Sequence, residues 1–243
     1  MKKVIIIFNL ILCYNLHAND SLFISANNDY ANQNYINATA KYDSLIANNF
    51  ESAELYYNLG NCFYKTNEIH QAIYYYEKSL KIDPNFEDAQ ENIKLCKLQL
   101  IDKIDQMPEL FYKKYFKKIK KLFSLNSWKI LSLISIWTFF LFFILKIFFK
   151  KKTNFISPAI LVLSLIFLLI TISVKNDELN NRSAIIYAST IDVMSAPSGK
   201  STKLFTLHLG TKININDQIE DWVNISIDNG KKGWILINNL REI

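Results

Sequence analysis

Two long apolar stretches constrain this chain more than any other feature. Residues 130–149 carry a single charge, Lys146, near their end, and residues 155–174 carry none. At about 1.5 Å of rise per residue, a helix of either stretch covers about 30 Å, the thickness of a bilayer's hydrocarbon core. As buried core helices they would need a large surrounding domain, because they are apolar on every face. The remaining chain supplies only two polar segments, each large enough for a small module. Lys150, Lys151, Lys152, Thr153 and Asn154 alone separate the stretches. The expected structure is an antiparallel transmembrane hairpin, helix 1 at 130–149 and helix 2 at 155–174, with both flanks on one side of the membrane.

The net charge of +6 needs dividing before it is given a meaning. Residues 19–105 hold 7 Lys against 13 Asp or Glu, whereas residues 106–129 hold 7 Lys against one Glu. The positive excess sits at the start of the chain and around the apolar stretches rather than on a folded module, which argues against nucleic acid as a partner. Lys2 and Lys3, the apolar run 4–12 and Leu16-His17-Ala18 have the layout of a signal peptide over residues 1–18. A lipoprotein box at Leu10-Ile11-Leu12-Cys13 is disfavoured by the bulk of Leu12 just before the cysteine. Two rules then disagree on sidedness. The leader places residues 19–129 and 175–243 outside, yet these flanks hold nine basic residues between 113 and 182 against four in and near the turn, the reverse of positive-inside. The leader is preferred here, because translocation starts before the later flanks emerge. The juxtamembrane segment 106–129 contains Tyr112, Phe116, Ile119 and Phe123 at helical spacing among six lysines. It reads either as an interfacial helix on anionic head groups or as a solvated basic linker.

Sliding the chain against itself by 34 residues sets Ala26 on Gly60, Tyr30 on Tyr64, Ala38 on Ala72 and Tyr42 on Tyr76. A 34-residue period of small and aromatic residues is the tetratricopeptide signature. The copy from Ala53-Glu54-Leu55-Tyr56-Tyr57-Asn58-Leu59-Gly60 to Asp83-Pro84 is close to the pattern, and the copy before it is degenerate. Gly60 and Ala72 allow a close approach of two helices, Leu59, Phe63, Ile69, Tyr76 and Leu80 fill the space between, and residues 87–102 are expected to form a helix covering the end of the stack. Cys62 and Cys96, also 34 residues apart, read as small buried fillers. By the family's geometry, Phe23, Asn27, Tyr30, Tyr57, Asn61 and Tyr64 point into a protein-binding groove. There the two asparagines would pair with a peptide backbone and the aromatics would stack on its side chains; packing of the stack is the competing role, above all for Tyr30 and Tyr64. The basic clamp that captures a carboxylate elsewhere in the family is absent, so a neutral or basic protein surface is the expected ligand.

Residues 183–243 alternate apolar and polar residues in short bursts, divided by turn signals at Ala196-Pro197-Ser198-Gly199, His208-Leu209-Gly210-Thr211 and Asp228-Asn229-Gly230. The order resembles bacterial SH3 domains: Asp192-Val193, Ser195-Ala196-Pro197, a Leu-x-x-Gly-Thr turn, Trp222, Asp-Asn-Gly, then Gly-Trp. It departs from them at Met194, where an arginine is common. Trp222 and Trp234 are the candidate ligand surface of this all-β, SH3-like barrel, but packing of at least one of them in the core is the expected role.

The whole order of leader, repeat region (19–105), basic segment, membrane hairpin and SH3-like module resembles the BatE-like proteins of bacterial Bat aerotolerance operons. Met107-Pro108-Glu109-Leu110-Phe111 and Leu207-His208-Leu209-Gly210-Thr211 are similar to that family too. The resemblance implies a scaffold in the inner (cytoplasmic) membrane, its folded modules periplasmic, working beside von Willebrand A-domain membrane proteins and a MoxR-type ATPase. No Gly-rich phosphate loop, metal-ligand cluster or nucleophile set stands out, so neither an enzyme, a cofactor nor a small-molecule substrate is expected, and lipid and protein are the expected partners. The alternative function is an envelope sensor that binds cell-wall peptide through the SH3-like module.

Overall fold

The computed structural model describes residues 20–105, 107, 110–120, 122–149, 156–180 and 182–243. The expected leader (1–18) and the lysine-rich turn (150–154) lie outside the described residues. The chain forms two compact units, one from the part up to Asp105 together with Ser183–Ile243, the other from Gln106–Arg182.

In the first unit, α1 (residues 20–31), α2 (Tyr35–Ala47), α3 (Ala53–Lys65), α4 (Ile69–Ile82) and α5 (Glu87–Lys97) succeed one another with short turns. Ser52 starts α3 by accepting the Leu55 amide on Oγ at 3.0 Å, which satisfies one of the donors left over at a helix start. The turn that closes α1 and the turn that closes α3 are built alike. Gln33 and Asn67, 34 positions apart, both have positive φ, 63° and 66°. Their amides donate to the carbonyls of Tyr30 and Tyr64, and the following amides, Asn34 and Glu68, donate to Asp29 and Phe63. This double bond across a left-handed residue is a Schellman closure. The first repeat therefore has the geometry of the second despite its weaker sequence.

The close approach expected at Gly60 is present. A Cβ there would stand 2.6 Å from the Tyr76 ring, so the α3–α4 contact admits no side chain at this position. Around it Tyr42, Leu45, Leu55, Leu59, Ile73 and Tyr76 are fully buried. Cys62 and Cys96 are free and buried in the same core, and burial pushes both thiols up to about 11, far from the thiolate a reactive cysteine needs. The expected helix at 87–102 is corrected: α5 ends at Lys97, and residues 98–105 run on without helix to other partners described below.

The strands β1 (Arg182–Ile186), β2 (Thr190–Met194), β3 (Lys203–His208), β4 (Lys212–Ile219), β5 (Trp222–Ser226), β6 (Lys232–Leu236) and β7 (Leu240–Glu242) make one sheet in the order β3-β2-β6-β5-β4-β1-β7. Its alternation is real: Ile213, Ile215, Val223, Ile225 and Ile235 face one core together with Val193 and Leu207.

The second unit holds α6 (Phe111–Lys120), α7 (Leu125–Phe149) and α8 (Ile156–Asn180). Helix α7 begins five residues before the expected span because Ser124 caps it, its Oγ accepting the Ser127 amide at 3.3 Å. Helix α8 likewise runs on past 174 through a polar last turn. Both are long and apolar enough to cross a membrane, with mean hydropathy 2.0 over Leu125–Leu145 and 2.3 over Pro158–Asp177. Apart from Trp128 near the start of α7, the buried residues of the two helices are small and hydroxylated: Ser132, Ser135, Ser164 and Thr171. Ser132 Oγ and Thr171 Oγ1 lie 2.7 Å apart, so that one hydroxyl donates to the other while the second donates to a main-chain carbonyl of its own helix.

Candidate functional site

The six residues expected on the binding face lie on α1 and α3, all half-buried, and the structure gives most of them work inside the stack. Asn27 Oδ1 accepts the Tyr42 hydroxyl at 2.5 Å and the Asn58 amide at 3.1 Å. One period later Asn61 Oδ1 accepts the Tyr76 hydroxyl at 2.7 Å and the Asn92 amide at 3.0 Å. Each member of one triad sits 34 positions from its counterpart in the other. The physical need is clear, since Tyr42 and Tyr76 are fully buried and a buried hydroxyl must find an acceptor. The expectation that both asparagines stand open to a peptide is thus corrected for their carbonyl oxygens. Asn58 and Asn92 were missed in the sequence, although their recurrence at the repeat period was there to be found.

The aromatic residues of this face pack in the same way. Phe23 lies 6.0 Å from the Tyr42 ring and 6.5 Å from Phe50, Tyr57 meets Phe86 edge-on at 5.0 Å, and Tyr30 meets Tyr35 at 5.4 Å. Burial raises the Tyr30 hydroxyl above its ordinary pKa. Tyr64 is the least engaged: it packs on the repeat core, and among the described residues its hydroxyl takes one bond, from Gln99 Nε2 at 3.4 Å. What this row can offer a ligand is aromatic surface, chiefly at Tyr30 and Tyr64, bordered by amides.

A second set of contacts, which no sequence pattern announces, joins the repeat helices to the sheet inside the first unit. Arg241 of β7 stands over the Tyr74 ring of α4 at 4.1 Å and lies within 6 Å of the Tyr75 and Tyr187 rings. The Tyr187 hydroxyl donates to Gln71 Oε1 at 2.7 Å, and Lys212 of β4 pairs with Glu77 of α4 at 2.6 Å. Ile185 of β1 is wholly buried in the repeat core. The segment 98–105 works as a strap. Leu100 covers Gly210, whose φ of +87° strains any other residue there, and Ile104 packs on the core of the sheet.

Asp102 is the centre of that strap. Its Oδ2 accepts the His208 amide at 2.7 Å and the Thr211 hydroxyl at 2.6 Å, and Oδ1 faces His208 Nδ1 at 2.8 Å. Burial by itself would raise this carboxyl, but the hydrogen bonds from Thr211 and His208, with the His208 charge, hold it below the usual carboxylate range.

On the sheet, Trp222 and Trp234 alternate with the core residues Val223 and Ile235 and so occupy the opposite face. Neither fills the core, contrary to the expectation that at least one would. They flank Leu236 and Met194 in the register, and Ile219 pairs with Trp222, so an apolar strip lies on the outer side. Asn216 and Asn224, bonded at 3.1 Å, border it. Among the described residues no group of three or more His, Cys, Asp or Glu is placed to hold a metal.

Comparison with known proteins agrees with the repeat. Residues 53–86 match the tetratricopeptide repeat family. Repeats of that family are typically protein-interaction modules. No curated protein matches the chain. Among solved structures, the C-terminal SH3 domain of myosin IB from Entamoeba histolytica aligns at 22% identity over 26% of this chain and 95% of that one, with a TM-score of 0.20. An NlpC/P60 family protein from Bacillus cereus aligns at 19% identity over 28% of this chain and 22% of that one, with a TM-score of 0.22. Scores this low leave the sheet to be judged on its own strand order and core.

Proposed function

We propose that this chain is a membrane-anchored scaffold whose repeat region holds a partner protein. The observation that carries the reading is the joining of repeat and sheet into one unit, with the chain leaving it at 105 for two membrane-length helices and re-entering at 183. A single folded unit cannot stand on both sides of a bilayer, so both ends of the hairpin belong to the same side. With the expected leader, that side is the outer face of the cytoplasmic membrane. The resemblance to BatE-like proteins supplies the proposed setting, a Bat-type aerotolerance or envelope-stress complex with von Willebrand A-domain membrane proteins and a MoxR-type ATPase. The acidic balance of residues 19–105 favours a neutral or basic partner surface, met by Tyr30 and Tyr64 first and by Phe23, Asn27, Tyr57 and Asn61 through whatever they leave exposed.

The test is co-purification of membrane partners with wild-type chain and with a Tyr30→Ala/Tyr64→Ala double variant of equal expression and equal melting temperature. Loss of one partner from the variant supports the groove. Equal recovery of all partners removes it from the mechanism. A second reading, the sensor of cell-wall peptide, draws on the outer strip at Trp222 and Trp234. It requires that Trp222→Ala/Trp234→Ala in the full chain abolish retention on purified peptidoglycan.

A further inference from the structure

Helix α6 is too short to cross a membrane, and its two faces are completely segregated. At about 100° per residue, Phe111, Tyr112, Tyr115, Phe116 and Ile119 fall within an arc of about 140°, and Lys113, Lys114, Lys117, Lys118 and Lys120 fill the opposite side. The apolar face packs on nothing substantial: all five of its residues are exposed, Phe111 at 76% and Tyr115 at 67%. Lys113, Lys114 and Lys118 make no ion pair among the described residues. An aromatic face of this size left in water calls for a cover, and Lys113, Lys114 and Lys118 beside it suit one that is anionic.

The unit itself indicates what that cover is. Only residues 121–124 separate α6 from α7, and the end of α6 is fastened to the mouth of the hairpin. The Trp128 indole donates to the Lys120 carbonyl at 3.1 Å, and the Lys120 ammonium pairs with Asp177 near the end of α8. Phe123 meets Trp128 edge-on at 5.3 Å. These contacts hold α6 at the level where the two long helices leave the apolar zone, which is where a head-group layer lies. Tyrosines with a wet hydroxyl and an apolar ring suit that layer, and lysines at the phosphate level suit a negative surface.

We infer that α6 is an interfacial helix that binds anionic phospholipid, its aromatic face among the upper acyl chains and Lys113, Lys114 and Lys118 on the phosphates. The inference rests on the membrane reading of α7 and α8. The full chain, with Cys13 replaced by Ser, is reconstituted into phosphatidylcholine vesicles with and without phosphatidylglycerol. It carries a nitroxide at Tyr115→Cys or, separately, at Phe140→Cys in the middle of α7; the buried Cys62 and Cys96 react poorly with the label. Access of a water-soluble nickel complex to position 115 should fall several-fold when phosphatidylglycerol is present. It should return when Lys113, Lys114 and Lys118 are changed to Gln together, or when salt is raised. Equal nickel access in both lipids overturns the inference, whether that access is high, as for a solvated linker, or low, as for a helix covered by protein. The label at position 140 should be shielded from nickel in every case. Exposure there overturns the membrane reading and this inference with it.

Discussion

The repeat-and-sheet unit hides its large residues and exposes its small polar ones, whereas the hairpin unit, its buried Trp128 apart, does the reverse. Tyr42, Leu59 and Tyr76 are inside the first; Trp137, Phe148 and Leu169 are on the outside of the second, where Ser132, Ser135, Ser164 and Thr171 are buried. The difference is the one expected if the first unit is built for water and the second, as proposed, for lipid. In water, burial of apolar area drives association, so large side chains meet. Within lipid that drive is absent, and helices associate through close contact of small residues and a few hydrogen bonds. The two units should therefore respond to substitution on different scales.

The largest expected effect is Gly60→Leu. Its side chain would enter the Tyr76 ring, and overpacking costs about 1–3 kcal/mol even where a core can yield, so a loss of about 3 kcal/mol or more is expected here. Chemical denaturation of the chain in detergent measures it. An unchanged midpoint would mean that α3 and α4 do not meet at this residue.

Next comes Asp102→Asn, which weakens charge-assisted bonds each worth about 1.5–3 kcal/mol, so a loss of about 2 kcal/mol is expected at neutral pH. The carboxyl titrates lower in the folded chain than in the unfolded one. Its contribution is thus complete above the unfolded value of about 4 and is lost as pH falls through the folded value. Wild type and variant should differ at pH 7 and converge at acid pH. A gap that persists in acid would sink the assigned role of the charge.

Arg241→Ala should cost about 1–2 kcal/mol, from the loss of a partly desolvated contact with Tyr74. Its signature is local: amide exchange in β1 and β7 should quicken while α3 stays protected. Uniform loss of protection would mean that β7 is part of the repeat core rather than docked on it.

The smallest effect belongs to the other unit. Ser132→Ala removes one of the paired hydroxyls from the α7–α8 seam and should cost about 0.6 kcal/mol, the usual worth of such a bond between membrane helices. The separation of the two helices, measured by spin-label distances in lipid, should not change. A widening of the seam would sharpen the comparison in the other direction, by giving one hydroxyl the weight of a core residue.

Much of this was readable before any coordinates. The 34-residue period located the α3–α4 hairpin, the role of Gly60 and the burial of Tyr76, because helix packing repeats whatever the chain repeats. The apolar stretches located α7 and α8 because apolarity on all faces has few uses. The site was less readable. Asn27 and Asn61 lie on α1 and α3, but the expectation that they pair with a peptide backbone took no account of the two buried tyrosines bonded to their carbonyls, and Asn58 and Asn92 went unnoticed. Trp222 and Trp234 could be assigned to a strand but not to a face, because one shift in register moves a residue from core to surface.

The sequence by itself determined the order and kind of the elements, since period, apolar length and turn residues are local properties that survive whatever surrounds them. Only the tertiary structure decided that repeat and sheet are one body. Its contacts run from Asp102 to His208 and Thr211, from Glu77 to Lys212 and from Tyr74 to Arg241, between residues more than a hundred positions apart and separated by the two long apolar helices. No local pattern encodes such pairs. Each consists of ordinary surface residue types, and they become partners only when both surfaces have formed and lost the same water.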